Sequence, residues 1–152
     1  MTVIQNQVQE AIDELVESGA ERGLQVAVYR HGEPVVDAVA GAADPATGRP
    51  VTSVDGVRLI SRERLREVSA VAMSGTDQIF GFPTSWGLGY SMGQFLSNAH
   101  ETRHVFGVGG VGGSHAYADT ASETTFALTK NRLTPDFGSA ERVAGVVTKA
   151  VA

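Results

Sequence analysis

The chain has no cysteine among its 152 residues. Disulfides, thiol nucleophiles and cysteine metal sites are therefore excluded. Lysine is almost as scarce: Lys130 and Lys149 are the only two, and no basic run stands out. With a formal net charge of −5, neither nucleic acid nor an anionic membrane is an expected partner. No run approaches the ~20 apolar residues of a membrane helix. The opening stretch, "MTVIQNQVQEAIDELV", lacks a basic segment followed by a continuous apolar one. No signal peptide is expected from it, and the cytoplasm is the simplest location.

What remains is ordinary globular material, 42% hydrophobic and 19% charged, long enough for one domain over residues 1–152. Residues 3–18 repeat apolar side chains at three- and four-residue spacing (Ile4, Val8, Ala11, Ile12, Leu15) and predict an amphipathic helix. Leu24–Arg30 and Pro34–Gly41 read as a hairpin turning at His31-Gly32. "DPATGRP" reads as a loop. Ser61 is placed to cap a helix over Arg62–Ala72 that buries Leu65, Val68 and Ala72. "SWGLGYSMG" predicts a glycine-rich strand, and two more follow at His115–Ala118 and Thr124–Thr129. Ser139 is expected to cap a last helix with Val143, Ala144, Val147 and Val151 inward. The order predicts an α+β fold: an antiparallel sheet of about five strands with the N- and C-terminal helices packed on one face.

Three constellations carry candidate chemistry. "HETRH" at 100–104 matches H-E-x-x-H, which on a helix sets His100 and His104 one turn apart for zinc with Glu101 as base. Against it, a longer zinc-protease motif would need a third histidine at Gly110, and Arg103 stands where such helices bury an uncharged residue. No metal or other cofactor is expected, and the short pattern is also what chance produces. "GGSHA" at 112–116 is one residue short of a nucleophile elbow and runs strand to strand rather than strand to helix, so Ser114 reads as a turn residue. His115 and Tyr117 alternate on one strand face and are the candidate catalytic pair, an acid or base near neutral pH and a hydrogen-bond donor. Trp86, Tyr90 and Phe106 are candidate pocket walls. The competing reading makes these aromatics core and His115 a solvated strand residue.

Taken in order, "LQVAVYRHGEPVVDAVAGAADPATGRPVT", "VDGVRLISRERLREVSAV", "FGFPTSWGLGYSMG" and "FGVGGVGGSHAYADTASETTFALTKNRL" resemble the serine β-lactamase and penicillin-binding-protein superfamily, closest to its class C-like esterase branch. The last resembles that family's final hairpin, F-G-H-G-G-x-G-G-S. The resemblance implies a β-lactamase/transpeptidase-like fold, but shortened. Thr52-Ser53 runs almost directly into Val54-Asp55, where the family has a large helical region carrying Ser-x-x-Lys and Tyr-x-Asn or Tyr-x-Ser. None of the eleven serines has Lys three residues on, and two residues after the tyrosines stand His31, Met92 and Asp119. By the same resemblance Val108 stands at the Lys/His position, and the Val111 N–H at the oxyanion position.

An acyl-enzyme hydrolase needs an activated nucleophile and a base in reach. The sequence therefore predicts a repurposed fold binding a small carbonyl-containing molecule, with a non-covalent isomerisation or cyclisation as the compatible chemistry. Trp86, Tyr90, Phe106, Val108, Gly109, Gly110 and Val111 are the expected lining, converging with His115 and Tyr117 on one cavity. A non-catalytic binding or partner subunit and a relict esterase are the alternatives, with a zinc enzyme further off. Loss of one cover from the sheet predicts a homodimer, through the face opposite the terminal helices or a freed edge near 104–111.

Overall fold

The computed structural model describes residues 2–44, 46–52, 61–79, 81–93 and 104–151. Thr2 caps the first helix, α1 (Val3–Glu17), by accepting the Gln5 N–H at 3.3 Å. Val8, Ala11, Ile12 and Leu15 are its buried stripe, as the spacing predicts. The chain then forms β1 (Gly23–Arg30), β2 (Glu33–Asp44), β3 (Arg49–Pro50), α2 (Arg62–Val68), β4 (Met73–Thr76), β5 (Pro83–Trp86) and β6 (Ser91–Met92). It closes with β7 (Val105–Gly109), β8 (His115–Asp119), β9 (Thr124–Lys130) and α3 (Gly138–Val151).

The sheet is antiparallel throughout, in the order β3-β2-β1-β9-β8-β7-β6-β5-β4. The class is the expected one, but the sheet has nine strands rather than about five. The additions are β7 together with the two-residue strands (β3, β6) and the wholly exposed β4, and these last three lack the alternation that marks a strand in sequence. "SWGLGYSMG" is a hairpin, not one strand: Trp86 pairs with Ser91 around a turn that contains Gly89 at φ +91°.

One core holds the molecule together. Leu24, Val26 and Val28 of β1, Val36, Ala38 and Ala40 of β2, and Phe126 and Leu128 of β9 face the stripes of α1 and α3, whose Val143, Ala144 and Val147 are fully buried. Both terminal helices thus cover one face, as expected. Three local readings are corrected. α2 stops at Val68, and Leu65 and Ala72 are exposed while Val68 is half-buried, because among the described residues no strand packs against this short helix closely enough to bury its apolar side. Ser139 lies inside α3 and is not its cap. Asp136 Oδ1 accepts the Gly138 N–H at 3.1 Å, while the Ser139 hydroxyl is drawn inward to a buried acceptor, Glu21 Oε1 at 2.6 Å. The edge predicted near 104–111 is partly closed, because β6 pairs with β7 at Phe106 and Gly107 while β8 pairs with it from Val105 to Gly109. The apparent seam at 52–55 falls largely on 53–60, outside the described residues.

Candidate functional site

The β7–β8 hairpin carries most of the expected site, and its register decides which side chains can meet. Opposed residues in an antiparallel pair share a face. Gly109 pairs with His115 and His115 with Leu128; Gly107 pairs with Tyr117 and Tyr117 with Phe126. Those two rows belong to the helix-covered face. Val108 pairs with Ala116, Ala116 with Ala127 and Ala127 with Ala27, and this row lies on the opposite face. Phe106 shares that second face with Met92. Trp86, through Ser91 and Gly107, belongs to the row of Tyr117.

The predicted convergence is therefore split by the sheet. His115 is 5% exposed, with its ring edge-on to Tyr117 at 6.2 Å and Phe137 at 5.9 Å. Burial holds its imidazole below the ordinary pKa, so the neutral form is favoured. Tyr117 stacks on Phe126 at 5.2 Å, and its hydroxyl is hydrogen-bonded to Thr148 of α3. Burial pushes its phenol upward, the Thr148 bond pulls it back, and Asp119 adds to the rise. These are the ring contacts of core side chains.

On the other face, Tyr90 meets Phe106 edge-on at 5.6 Å. Phe106 and Met92 are buried, whereas Val108 is 49% exposed. At the end of β7 the chain reverses over Gly110–Ser114, closed by the Gly110 N–H to Ser114 O at 2.9 Å and the Gly113 N–H to Gly110 O at 2.8 Å. Gly113 needs its glycine, with φ +83° and packed surroundings. Val111 stands at the tip, 89% exposed, and its N–H donates to no group among the described residues. Ser114 is occupied structurally: its Oγ accepts the Lys130 N–H at 3.3 Å.

Of the zinc pattern, residues 100–103 lie outside the described residues. His104 is exposed before β7, and its carbonyl accepts both the N–H and the hydroxyl of Thr120, at 3.0 and 3.2 Å. No group of three or more metal-ligating side chains occurs among the described residues. Among them, too, no helix is long and apolar enough to cross a membrane.

Sequence reading missed a buried polar cluster behind the turn. Lys130 Nζ donates to Glu21 Oε1 and to Thr134 Oγ1, both at 2.6 Å, and the ion pair's side chains are 1% exposed. A signal was available. Lys130 continues the inward phase of Thr124, Phe126 and Leu128, and a cation in that phase requires a buried acceptor.

The comparisons follow this architecture. The beta-lactamase family model matches residues 8–61, which take in α1 from Val8 onward and the first hairpin. A penicillin-binding-protein homologue from Caulobacter crescentus is 26% identical, with a TM-score of 0.50 over 66% of this chain and 28% of its own. A family VIII carboxylesterase is 20% identical, with a TM-score of 0.53 over 64% of this chain and 27% of its own, a likeness of fold alone. The chain thus spans less than a third of the length of either structure. No curated protein matches it significantly. The family-model match over residues 8–61 and the fold shared with the penicillin-binding-protein homologue together support placing the chain in the serine β-lactamase and penicillin-binding-protein-like superfamily.

Proposed function

We propose that the chain binds a small carbonyl-containing molecule at the tip of β7, without acyl-enzyme chemistry. The observation that carries this reading is the Val111 N–H, without an acceptor among the described residues and on a residue that is 89% exposed, beside the half-exposed Val108. A donor fixed at a turn can hold and polarise a carbonyl oxygen. Hydrolysis through a covalent intermediate would also need a nucleophile and a base there. Val108 supplies neither, Ser114 is tied to the Lys130 N–H, and His115 faces the helices. Isomerisation or cyclisation would likewise need a proton carrier on the Val108 face. The proposal is accordingly for binding and polarisation, with any catalysis limited to what a hydrogen-bond donor and positioning can give.

Titration of ¹⁵N-labelled protein with benzylpenicillin and with p-nitrophenyl acetate tests it. Saturable shifts centred on the Val111 and Gly112 amides are expected, with the intact mass unchanged. Shifts elsewhere and none at the turn would defeat the reading. The carboxylesterase neighbour favours a second reading, a relict esterase. A stoichiometric acyl or fluorophosphonate adduct on a serine would establish it in place of the first. For assembly we keep the homodimer, through the sheet face opposite the terminal helices. Sedimentation at micromolar concentration reads it directly, and a species at the chain's own mass of 15.9 kDa would exclude it.

A further inference from the structure

Glu21 follows α1, where its N–H donates to Leu15 O at 2.9 Å, and its carboxylate is carried into the protein rather than to solvent. It accepts there from Lys130 Nζ and Ser139 Oγ, both at 2.6 Å on Oε1, while Lys130 also donates to Thr134 at 2.6 Å. The cluster joins the α1–β1 turn, the end of β9, the loop after it and the first turn of α3. A buried ion pair is a poor source of net stability compared with apolar packing, so its geometry is the more informative property.

That geometry reaches the Gly110–Ser114 turn. A Cβ built on Gly113 would lie 2.6 Å from Lys130 Cε, 2.8 Å from Nζ and 2.7 Å from Asp136 O. The turn therefore rests directly on the lysine side chain. Beside it, the Lys130 N–H is bonded to Ser114 Oγ at 3.3 Å. Lys130 touches the turn, and Glu21 determines where the lysine lies.

We infer that Glu21 and Lys130 form a positioning pair that holds the Gly110–Ser114 turn, and with it the direction of the Val111 N–H. The coupling stands on the contacts alone; its importance for ligand rests on the function proposed above. Neither residue is catalytic, since both are sealed behind the turn.

Amide hydrogen exchange on the full chain tests the pair without any ligand. In Glu21→Gln, exchange at the Gly110 and Gly113 amides is expected to accelerate at least ~10-fold more than at Val26 and Val28 of β1, because local opening is separable from global unfolding. Glu21→Leu/Lys130→Met removes both charges together. It should fold even where the single variant does not, and should show the same selective loosening. Turn amides as slow as in the wild type, or accelerated only as much as those of β1, in whichever variant folds, would overturn the inference. Benzylpenicillin titration of the wild type judges the binding reading separately. Selective loosening supports the positioning pair even where benzylpenicillin leaves Val111 unmoved.

Discussion

Leu24, Val26 and Val28 of β1 are wholly buried, while every residue of β4, Met73 to Thr76, is exposed, although both strands belong to one hydrogen-bonded sheet. The two halves differ in what covers them. α1 and α3 lie over β1, β2 and β9, and the main core is made there. Beyond β7 the described residues form only a small cluster, in which Met92, Phe106 and Tyr90 meet and a Cβ at Gly87 would lie 3.3 Å from the Met92 sulfur. Met73, Leu88 and Val71 are more than half exposed in that region. Ladder hydrogen bonds extend a sheet, but side-chain burial stabilises it. The far half therefore contributes surface and little core.

The sharpest way to break this contrast is a pair of truncations. Phe126→Ala should cost ~3–5 kcal/mol, since a buried ring stacked on Tyr117 leaves a cavity. Met73→Ala should stay within ~0.5 kcal/mol. Urea unfolding of both measures the difference, and equal costs would show a hidden cover over β4. Next in size is Gly41→Ala in the covered half. Gly41 has φ +74°, and a Cβ there would run into the Arg22 carbonyl oxygen. A loss of more than ~1 kcal/mol is expected. Gly75, in β4, has nothing within 4 Å of a built Cβ, so Gly75→Ala should be nearly silent in the same assay.

A smaller effect separates the two faces by pH. Burial depresses His115 below its ordinary 6.5, so the unfolded chain binds this proton first as pH falls. The contribution to stability is present above about pH 6.5 and is lost progressively below it, towards the folded value. Urea midpoints at about pH 8 and about pH 5 should therefore draw apart less in His115→Phe than in the wild type. An unchanged difference would place the imidazole in water. The smallest expected effect is on the other face: Val108→His should leave p-nitrophenyl acetate turnover at the wild-type level, because a base without a nucleophile has nothing to activate. A clear gain would reveal a nucleophile near β7.

Much of the covered half was readable before folding. The three- and four-residue spacing in α1 and α3 and the runs of strand-forming residues in β1 and β9 are local properties, fixed by helix and strand geometry. The far half was read less well. Leu65 and Ala72 have the spacing of a buried stripe, yet no element of the described residues covers them. β6 is too short to show a period, and the glycines of "SWGLGYSMG" suit a turn as readily as a strand.

By itself the sequence determined the terminal helices, the main strands and the absence of any Ser-x-x-Lys spacing. Each of these depends only on residues close together in the chain. It also showed that His115 and Tyr117 share one strand face. Which face the helices would cover was decided by the tertiary structure, because a period of two defines two sides without naming the buried one. The same holds for Glu21 and Lys130, 109 residues apart. Glu21 alone reads as a solvated surface charge and the phase of Lys130 names no acceptor, and only the closing of α1, β9 and α3 around them removes the water and makes each the other's partner.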